Sequence, residues 1–184
     1  MKIFISGGCK NGKSSYAQRL SQALRKPGAP LYYLATMIPS DGEDETRISR
    51  HRRDREGCGF ETVEAGRDIL AAVGGCDRHG TFLLDSVTAL LANEMFTRDG
   101  RVERGAHIKI AGELAAIMDA VDGIVIVSDF IYSDGSLYEE LTETYRRGLA
   151  YIDRRTAGLC DIALEACGGI CVAHKGGELL YGLV

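Results

Sequence analysis

A glycine-rich run near the start of the sequence contains a lysine and a serine at a spacing suited to phosphate chemistry. Residues 7–14 read Gly-Gly-Cys-Lys-Asn-Gly-Lys-Ser and fit the pattern G-x-x-x-x-G-K-[ST] without a mismatch. The apolar residues 3–5 before the run have the character of a strand, and residues 15–24 after it have that of an amphipathic helix. In that setting, backbone N–H groups and the helix N-terminus bind phosphate together.

We therefore expect this phosphate loop to bind the phosphates of ATP or GTP. Lys13 would reach the β- and γ-phosphates as a catalytic group, and Ser14 would offer its hydroxyl to Mg²⁺. The alternative is a glycine-rich turn without a ligand, which the flanking strand and helix disfavour. The predicted binding residues are Gly7, Gly8, Cys9, Lys10, Asn11, Gly12, Lys13, Ser14 and Ser15.

A second acidic candidate follows an apolar strand. Residues 81–84 form that predicted strand, and Asp85 ends it. In enzymes with a phosphate loop, such an aspartate holds Mg²⁺ beside the nucleotide, so we expect Asp85 to be a catalytic metal ligand. An aspartate in this position is also a common helix N-cap, which is the alternative, because a helical pattern begins at Ser86.

Residues 47–55 concentrate five arginines around His51 in an otherwise acidic chain. On a helix, Arg47, His51 and Arg55 share one face because they are four residues apart. Neighbouring guanidinium groups disfavour protonation of an imidazole and stabilise an arriving phosphate, so His51 is a candidate catalytic nucleophile for nucleotidyl transfer. We expect Arg47 and Arg50 to bind the nucleotide. A solvated helix face is the alternative interpretation.

Strand-length apolar runs alternate with helical patterns along the chain. This alternation predicts a three-layer α/β fold of the P-loop NTPase type, with a central, mostly parallel sheet. The predicted strands are Lys2–Ser6, Leu31–Ala35, Phe60–Val63, Thr81–Leu84, Ile124–Ser128 and Gly169–Ala173, and a short edge strand is compatible with Lys175–Val184. The predicted helices are Lys13–Arg25, Glu43–Glu56, Arg67–Val73, Ser86–Phe96, Arg104–Ala120 and Ser136–Glu165, the last interrupted near Gly148 or Gly158.

Length and charge limit the classes of protein that fit. The length of 184 residues suits a single domain, residues 1–184. With 22 basic and 26 acidic residues the net charge is −4, so we expect no nucleic-acid partner and no attraction to an anionic membrane. We find no secretion signal and no apolar run near the roughly 20 residues of a membrane span, and we expect a cytoplasmic protein. The six cysteines contain no C-x-x-C pair, which disfavours a zinc site.

Taken together, these motifs resemble the adenosylcobinamide kinase/adenosylcobinamide-phosphate guanylyltransferase family. The resemblance covers most of the chain and is strongest before residue 96. It rests on the phosphate loop, on Leu34-Ala35-Thr36, on Arg47-Ile48 with His51, on Thr62-Val63-Glu64, and on Leu84-Asp85 with Asn93.

The resemblance implies a bifunctional enzyme of cobalamin assembly. One activity would phosphorylate the aminopropanol hydroxyl of adenosylcobinamide with a nucleoside triphosphate. The other would transfer GMP from GTP to His51 and then to the cobinamide phosphate. The resemblance also implies nucleotide binding by Glu64, a parallel sheet and a homotrimer.

The second half of the chain departs from the family pattern. Where the family carries Asn-Glu after the fifth strand, this chain reads Asp129-Phe130, and further on Asp153-Arg154 replaces Asn-Gln. Two other functions are therefore considered: a P-loop kinase or nucleotidyltransferase with another acceptor, and a non-catalytic nucleotide-dependent switch protein. Asp129 or Asp134, near the carboxyl end of a strand, favours an enzyme over a switch.

Overall fold

A computed structural model describes residues 1–39, 42, 49, 53 and 55–183. Within these residues, seven strands form one sheet. They are β1 (Lys2–Gly7), β2 (Leu31–Ala35), β3 (Glu61–Glu64), β4 (Thr81–Asp85), β5 (Gly123–Val127), β6 (Ile162–Cys167) and β7 (Ile170–Lys175).

The strands lie in the order β3-β2-β4-β5-β1-β6-β7. Every neighbouring pair is parallel except β6 and β7, which form an antiparallel hairpin at one edge. The carboxyl ends of the parallel strands therefore share one edge of the sheet, the edge where open α/β sheets bind ligands. The phosphate loop leaves β1 there, between β5 and β6.

Alternate residues of the central strands point into two separate cores. On one face, Ile3 and Ile5 of β1 are fully buried with Ala17 and Leu20 of the first helix. On the other face, Phe4 joins a larger core that the later helices complete. β5 is buried along its whole length. The apolar pattern of residues 124–127 is therefore that of a parallel strand covered by helices on both faces, as predicted.

Five α-helices and one short 3₁₀ helix surround the sheet in the part of the chain that the structure describes. They are α1 (Lys13–Leu24), α2 (Ile69–Val73), α3 (Val87–Met95), α4 (Ala106–Ala120), α5 (Glu140–Leu159) and the 3₁₀ helix Gly177–Leu180. The predicted three-layer α/β fold with a mostly parallel sheet is confirmed. Five of the predicted helices overlap observed ones, and the helix predicted over Glu43–Glu56 lies mostly outside the described residues.

The helix predicted at the C-terminal end of the chain is partly wrong. The helix predicted to reach Glu165 ends at Leu159, continues without a break through Gly148 and Gly158, and is followed by β6. An alternation of buried and accessible residues in β6, with Ile162 and Leu164 buried, is the strand signal that the helix prediction overlooked. The tail forms the 3₁₀ helix rather than an edge strand, since β7 already occupies the edge.

Across the residues that the structure describes, none of the helices combines the length and apolar character needed to cross a membrane.

Candidate active site

The phosphate loop has a backbone shape that its glycines permit. Gly7 leaves β1 with φ +154°, and a Cβ atom there would overlap the carbonyl oxygen of Ala166. Lys10 and Gly12 both have positive φ, of 56° and 87°, which curls the chain before α1 begins. The Asn11 side chain donates from Nδ2 to the Ala166 carbonyl at 2.5 Å and so ties the loop to β6. The loop is held in place by the neighbouring strand.

Lys13 lies at the first position of α1 and its side chain is almost fully buried, with 6% exposure. Its Nζ atom donates to the carbonyl oxygen of Gly8 at 2.6 Å. The same atom forms an ion pair of 2.8 Å with Oδ1 of Asp129, which follows β5. The lysine predicted to bind phosphate is thus folded over its own loop and paired with a carboxylate.

Asp85 lies at the carboxyl end of β4 and accepts a hydrogen bond of 3.1 Å from the Tyr33 hydroxyl at Oδ2. The guanidinium of Arg55 lies over the Tyr33 ring, 3.5 Å from its centroid. The N-cap of α3 is Ser86, whose hydroxyl accepts from the N–H of Ala89 at 3.4 Å. The helix-cap interpretation of Asp85 is therefore wrong, and its carboxylate faces the ligand edge of the sheet.

Ser14 and Asp85 offer oxygen atoms of the kind that Mg²⁺ prefers, a hydroxyl and a carboxylate. Ser14 lies in the first turn of α1 and is half-buried. α1 packs against β4 as well as β5, so Ser14 and Asp85 lie on neighbouring elements. This donor set fits a magnesium ion shared with nucleotide phosphates.

The loop after β5 is organised by Arg146 of α5. Its buried guanidinium donates to the Ile131 carbonyl at 3.0 Å and to Asp134 Oδ1 at 2.8 Å. It also pairs with Glu143 and lies over the Tyr138 ring, 4.4 Å from its centroid. Of the two carboxylates considered at this strand end, Asp134 therefore supports the loop, whereas Asp129 contacts Lys13.

A buried acid lies under the same loop. Asp153 of α5 is 2% exposed and accepts from the hydroxyls of Ser128 and Tyr132 at 3.0 and 3.2 Å. Burial raises the pKa of Asp153 to about 7, although the two hydroxyl donors act in the opposite direction. Burial and the neighbouring Asp153 carboxylate also raise the pKa of Tyr132. In the described part of the chain, Oδ1 of Asp153 has no hydrogen-bond partner.

Glu64 lies at a distance from the phosphate loop. It ends β3, which is four strand spacings, about 19 Å, from β1 across the sheet. There it lines an open cleft of about 630 Å³. The other lining residues are Ile38, Gly66, Arg67, Thr97, Arg98, Asp99 and Arg101. The structure therefore does not bring Glu64 to the loop, and only a ligand extended along the sheet edge would contact both.

His51, Arg47 and Arg50 lie outside the described residues. Of the arginines in the charged run, the structure describes Arg53, which is exposed, and Arg55, which is buried against Tyr33. The Nη1 atom of Arg55 is buried without a hydrogen-bond partner among the described residues. The end of the charged run therefore packs on Tyr33, the residue whose hydroxyl contacts Asp85.

A sequence model of the family described as cobinamide kinase / cobinamide phosphate guanyltransferase matches residues 3–173. The chain belongs to this family. It is accordingly an enzyme of the P-loop kinase and nucleotidyltransferase type, and the family resemblance drawn from its motifs is confirmed.

Three curated relatives accompany this cobinamide kinase / cobinamide phosphate guanyltransferase match. The bifunctional adenosylcobalamin biosynthesis protein CobP of Pseudomonas aeruginosa is 28% identical over 97% of this chain and all of its own length. The corresponding CobU protein of Escherichia coli is 26% identical over 70% of this chain and 75% of its own length. CobU of Salmonella typhimurium is 24% identical over 95% of this chain and all of its own length.

Solved structures agree with the fold of this family member. A KaiC-like protein from Pyrococcus horikoshii OT3 superposes with a TM-score of 0.52 at 12% identity, over 96% of this chain and 79% of that protein. A solved ATPase domain gives a TM-score of 0.52 at 8% identity, over 89% of this chain and 68% of its own. At these identities the likeness concerns the fold.

Three residues that the structure places in the site of this family member were not among the predicted site residues. Tyr33 was only part of an apolar strand, yet its hydroxyl contacts Asp85. Arg146 and Asp153 lie on one helix and organise the loop after β5 from two positions. The feature of the sequence that could have identified Arg146 and Asp153 is their seven-residue spacing, which puts both on the same face of α5.

Proposed function

We propose that this chain phosphorylates adenosylcobinamide and then transfers GMP from GTP to adenosylcobinamide phosphate, in the biosynthesis of adenosylcobalamin. The observation that carries this proposal is the family match over residues 3–173 on a chain whose phosphate loop is fully formed. The names of the three relatives, all bifunctional adenosylcobalamin biosynthesis proteins, support the same pathway.

In this proposal the phosphate loop binds the triphosphate. Backbone N–H groups of residues 8–14 surround the β-phosphate at the N-terminus of α1, and Lys13 leaves Asp129 to bind the β- and γ-phosphates. Ser14 and Asp85 would hold Mg²⁺, which would neutralise charge on the phosphate oxygens. Tyr33 orients the Asp85 carboxylate by its hydrogen bond.

His51 is the proposed carrier of GMP. A neutral imidazole nitrogen attacks the α-phosphorus of GTP, the bond between the α-phosphorus and its bridging oxygen breaks, and pyrophosphate leaves. The phosphate of the acceptor then takes GMP from the histidine and forms the GDP-linked product. The position of Arg55 supports this role, because four residues of chain span at most about 14 Å between its Cα atom and that of His51.

Incubation with GTP labelled at the α-phosphate tests this function. We expect an acid-labile, base-stable adduct on the wild-type protein, and His51→Ala should abolish it. His79→Ala and His174→Ala are matched controls, because these exposed histidines pair with Asp122 and Glu165 instead. A wild-type protein that takes up no label, and that forms no product from adenosylcobinamide with ATP or GTP, would contradict the proposal.

A second candidate function is phosphoryl or nucleotidyl transfer to another acceptor. This chain departs from the family pattern at Asp129-Phe130, and the structure places this pair beside the phosphate loop. The Phe130 N–H donates to the Gly7 carbonyl at 2.9 Å. A different residue pair so close to the loop favours a different acceptor. The same experiment separates the two functions. A protein that is labelled by GTP but leaves adenosylcobinamide and its phosphate unchanged would support the second.

The proposed assembly is a homotrimer that acts in the cytoplasm, where its nucleotide substrates are available. The edge strand β7 exposes Ile170 and Val172, and exposed apolar edges favour association with another chain.

A further inference from the structure

The side chain of Asp129 contacts the lysine of the phosphate loop. Its Oδ1 atom lies 2.8 Å from Lys13 Nζ, and the two side chains are 18% and 6% exposed. A carboxylate and a phosphate are both anionic oxygen groups that compete for the same ammonium donors. A nucleotide phosphate that binds Lys13 therefore competes with Asp129 for its ammonium donors.

The backbone of Asp129 is fixed on both sides and does not depend on the lysine. Its N–H donates to the Thr88 hydroxyl at 2.9 Å, and the following N–H, of Phe130, donates to the Gly7 carbonyl at 2.9 Å. The preceding Ser128 donates to Asp153 at 3.0 Å. When Lys13 leaves, the Asp129 carboxylate would remain beside the loop.

Other carboxylates at this edge of the sheet have different partners. Asp85 accepts from Tyr33 and belongs to the proposed magnesium site. Asp134 accepts from Arg146 and Tyr138 and supports the loop. Asp129 is thus the carboxylate whose partner is removed by nucleotide binding itself.

We propose that Asp129 holds Lys13 while the loop is empty and, once the triphosphate takes the lysine, serves as the catalytic base for the acceptor hydroxyl. This inference rests on the proposed kinase function and names its missing proton acceptor. The hydroxyl oxygen of adenosylcobinamide forms a bond to the γ-phosphorus, and the bond from that phosphorus to the β,γ-bridging oxygen breaks. Its electron pair leaves with the nucleoside diphosphate, and the hydroxyl proton passes to the Asp129 carboxylate.

Asp129→Asn tests the two parts of this role separately, because it should strengthen nucleotide binding and slow phosphoryl transfer. The amide competes less for Lys13 and does not repel phosphate, so a non-hydrolysable ATP analogue should bind about 3- to 10-fold more tightly by calorimetry. Phosphorylation of adenosylcobinamide should fall about 10²- to 10⁴-fold in kcat, the usual contribution of a general base. Labelling by α-labelled GTP should persist, because the histidine step deprotonates no acceptor hydroxyl.

Asp122→Asn is the matched control. It also removes a carboxylate that pairs with a lysine at 2.7 Å, Lys26, but at the opposite end of the sheet. Nucleotide affinity and kcat should stay within twofold of wild type. Circular dichroism at 222 nm should show that both variants are folded.

Three results would overturn the inference: a kcat of Asp129→Asn within tenfold of wild type, an unchanged or weaker nucleotide affinity, or loss of GTP labelling together with kinase activity. Failure of the proposed function is distinguishable, because it shows in the wild-type protein as absent turnover of adenosylcobinamide. In that event the calorimetric comparison still decides whether Asp129 competes with phosphate for Lys13.

Discussion

Asp153 is a carboxylic acid held among hydroxyl groups, and its ionisation bears on the stability of the site. Ser128 and Tyr132 both donate to Oδ2, while α5 and the loop after β5 exclude water from the group. A buried carboxylate is costly without a cation, so the proton is retained to higher pH. Asp129, whose negative charge also raises the pKa of Asp153, links this acid to the phosphate loop.

The raised pKa of Asp153 predicts a specific pH dependence of stability. Between its ordinary pKa of 3.8 and the folded value of about 7, the folded state binds the extra proton, so the stability contributed by this group falls as pH rises through that window. Asp153→Asn removes the effect. The difference in free energy of unfolding, variant minus wild type, should grow by about 2–3 kcal/mol between pH 5 and pH 8.

Urea denaturation of both proteins at pH 5, 6, 7 and 8 measures this difference. Ser128→Ala gives a second test. The Ser128 hydrogen bond lowers the pKa of Asp153, so without it the pH at which this stability is lost should be higher than in the wild-type protein. A difference that is constant with pH would mean that Asp153 ionises in the folded protein as it does in the unfolded chain.

At the scale of elements, the junction of β1, the phosphate loop and β6 depends on close contact of backbones. Gly7 pairs with Ala166 in the parallel register, and Asn11 bonds to the same carbonyl. Gly8, the next residue, has open space around its missing side chain. Two adjacent glycines of one motif therefore have different structural roles.

This contrast gives a matched pair of variants. In Gly7→Ala the new methyl group would overlap the Ala166 oxygen and lie 2.6 Å from Asn11 Nδ2, so β1 and β6 must separate. We expect a loss of about 2–4 kcal/mol in the free energy of unfolding. Gly8→Ala should cost about 0.5 kcal/mol. Thermal and urea unfolding measure both, and equal stabilities for the two variants would show that the contact with β6 does not constrain the loop.

Local patterns predicted most elements because each carries its own signal. The apolar run at β5 and the stripe of α1 both lie where the sequence indicated. The prediction failed at β6, where the helix pattern was extended past Gly158 and Asp161 into an alternating segment. Pairing with β1 decides the conformation of that segment, and a tertiary contact of this kind overrides local propensity.

At the scale of the whole molecule, the strand order determines which predicted residues meet. A parallel sheet puts Asp85 and the phosphate loop at one edge, which the sequence could indicate from the strand boundaries alone. The order itself arises from the packing of crossover helices between distant segments. For this reason the pairing of Lys13 with Asp129 and the separation of Glu64 from the loop became visible only in the structure.

Substrate binding should therefore extend along the edge of the sheet from the loop toward β3. The cleft at Glu64 also contains Arg67, Arg98 and Arg101, and β2, β4 and β5 separate it from the lysine.

A crystal structure of the protein with Mg²⁺ and a non-hydrolysable GTP analogue tests the central claim most directly. We predict the β- and γ-phosphates within residues 7–14, the metal ion on Ser14 and Asp85, and Lys13 Nζ moved from Asp129 onto phosphate oxygens. A nucleotide bound elsewhere, with the 2.8 Å pair between Lys13 and Asp129 intact, would contradict the account.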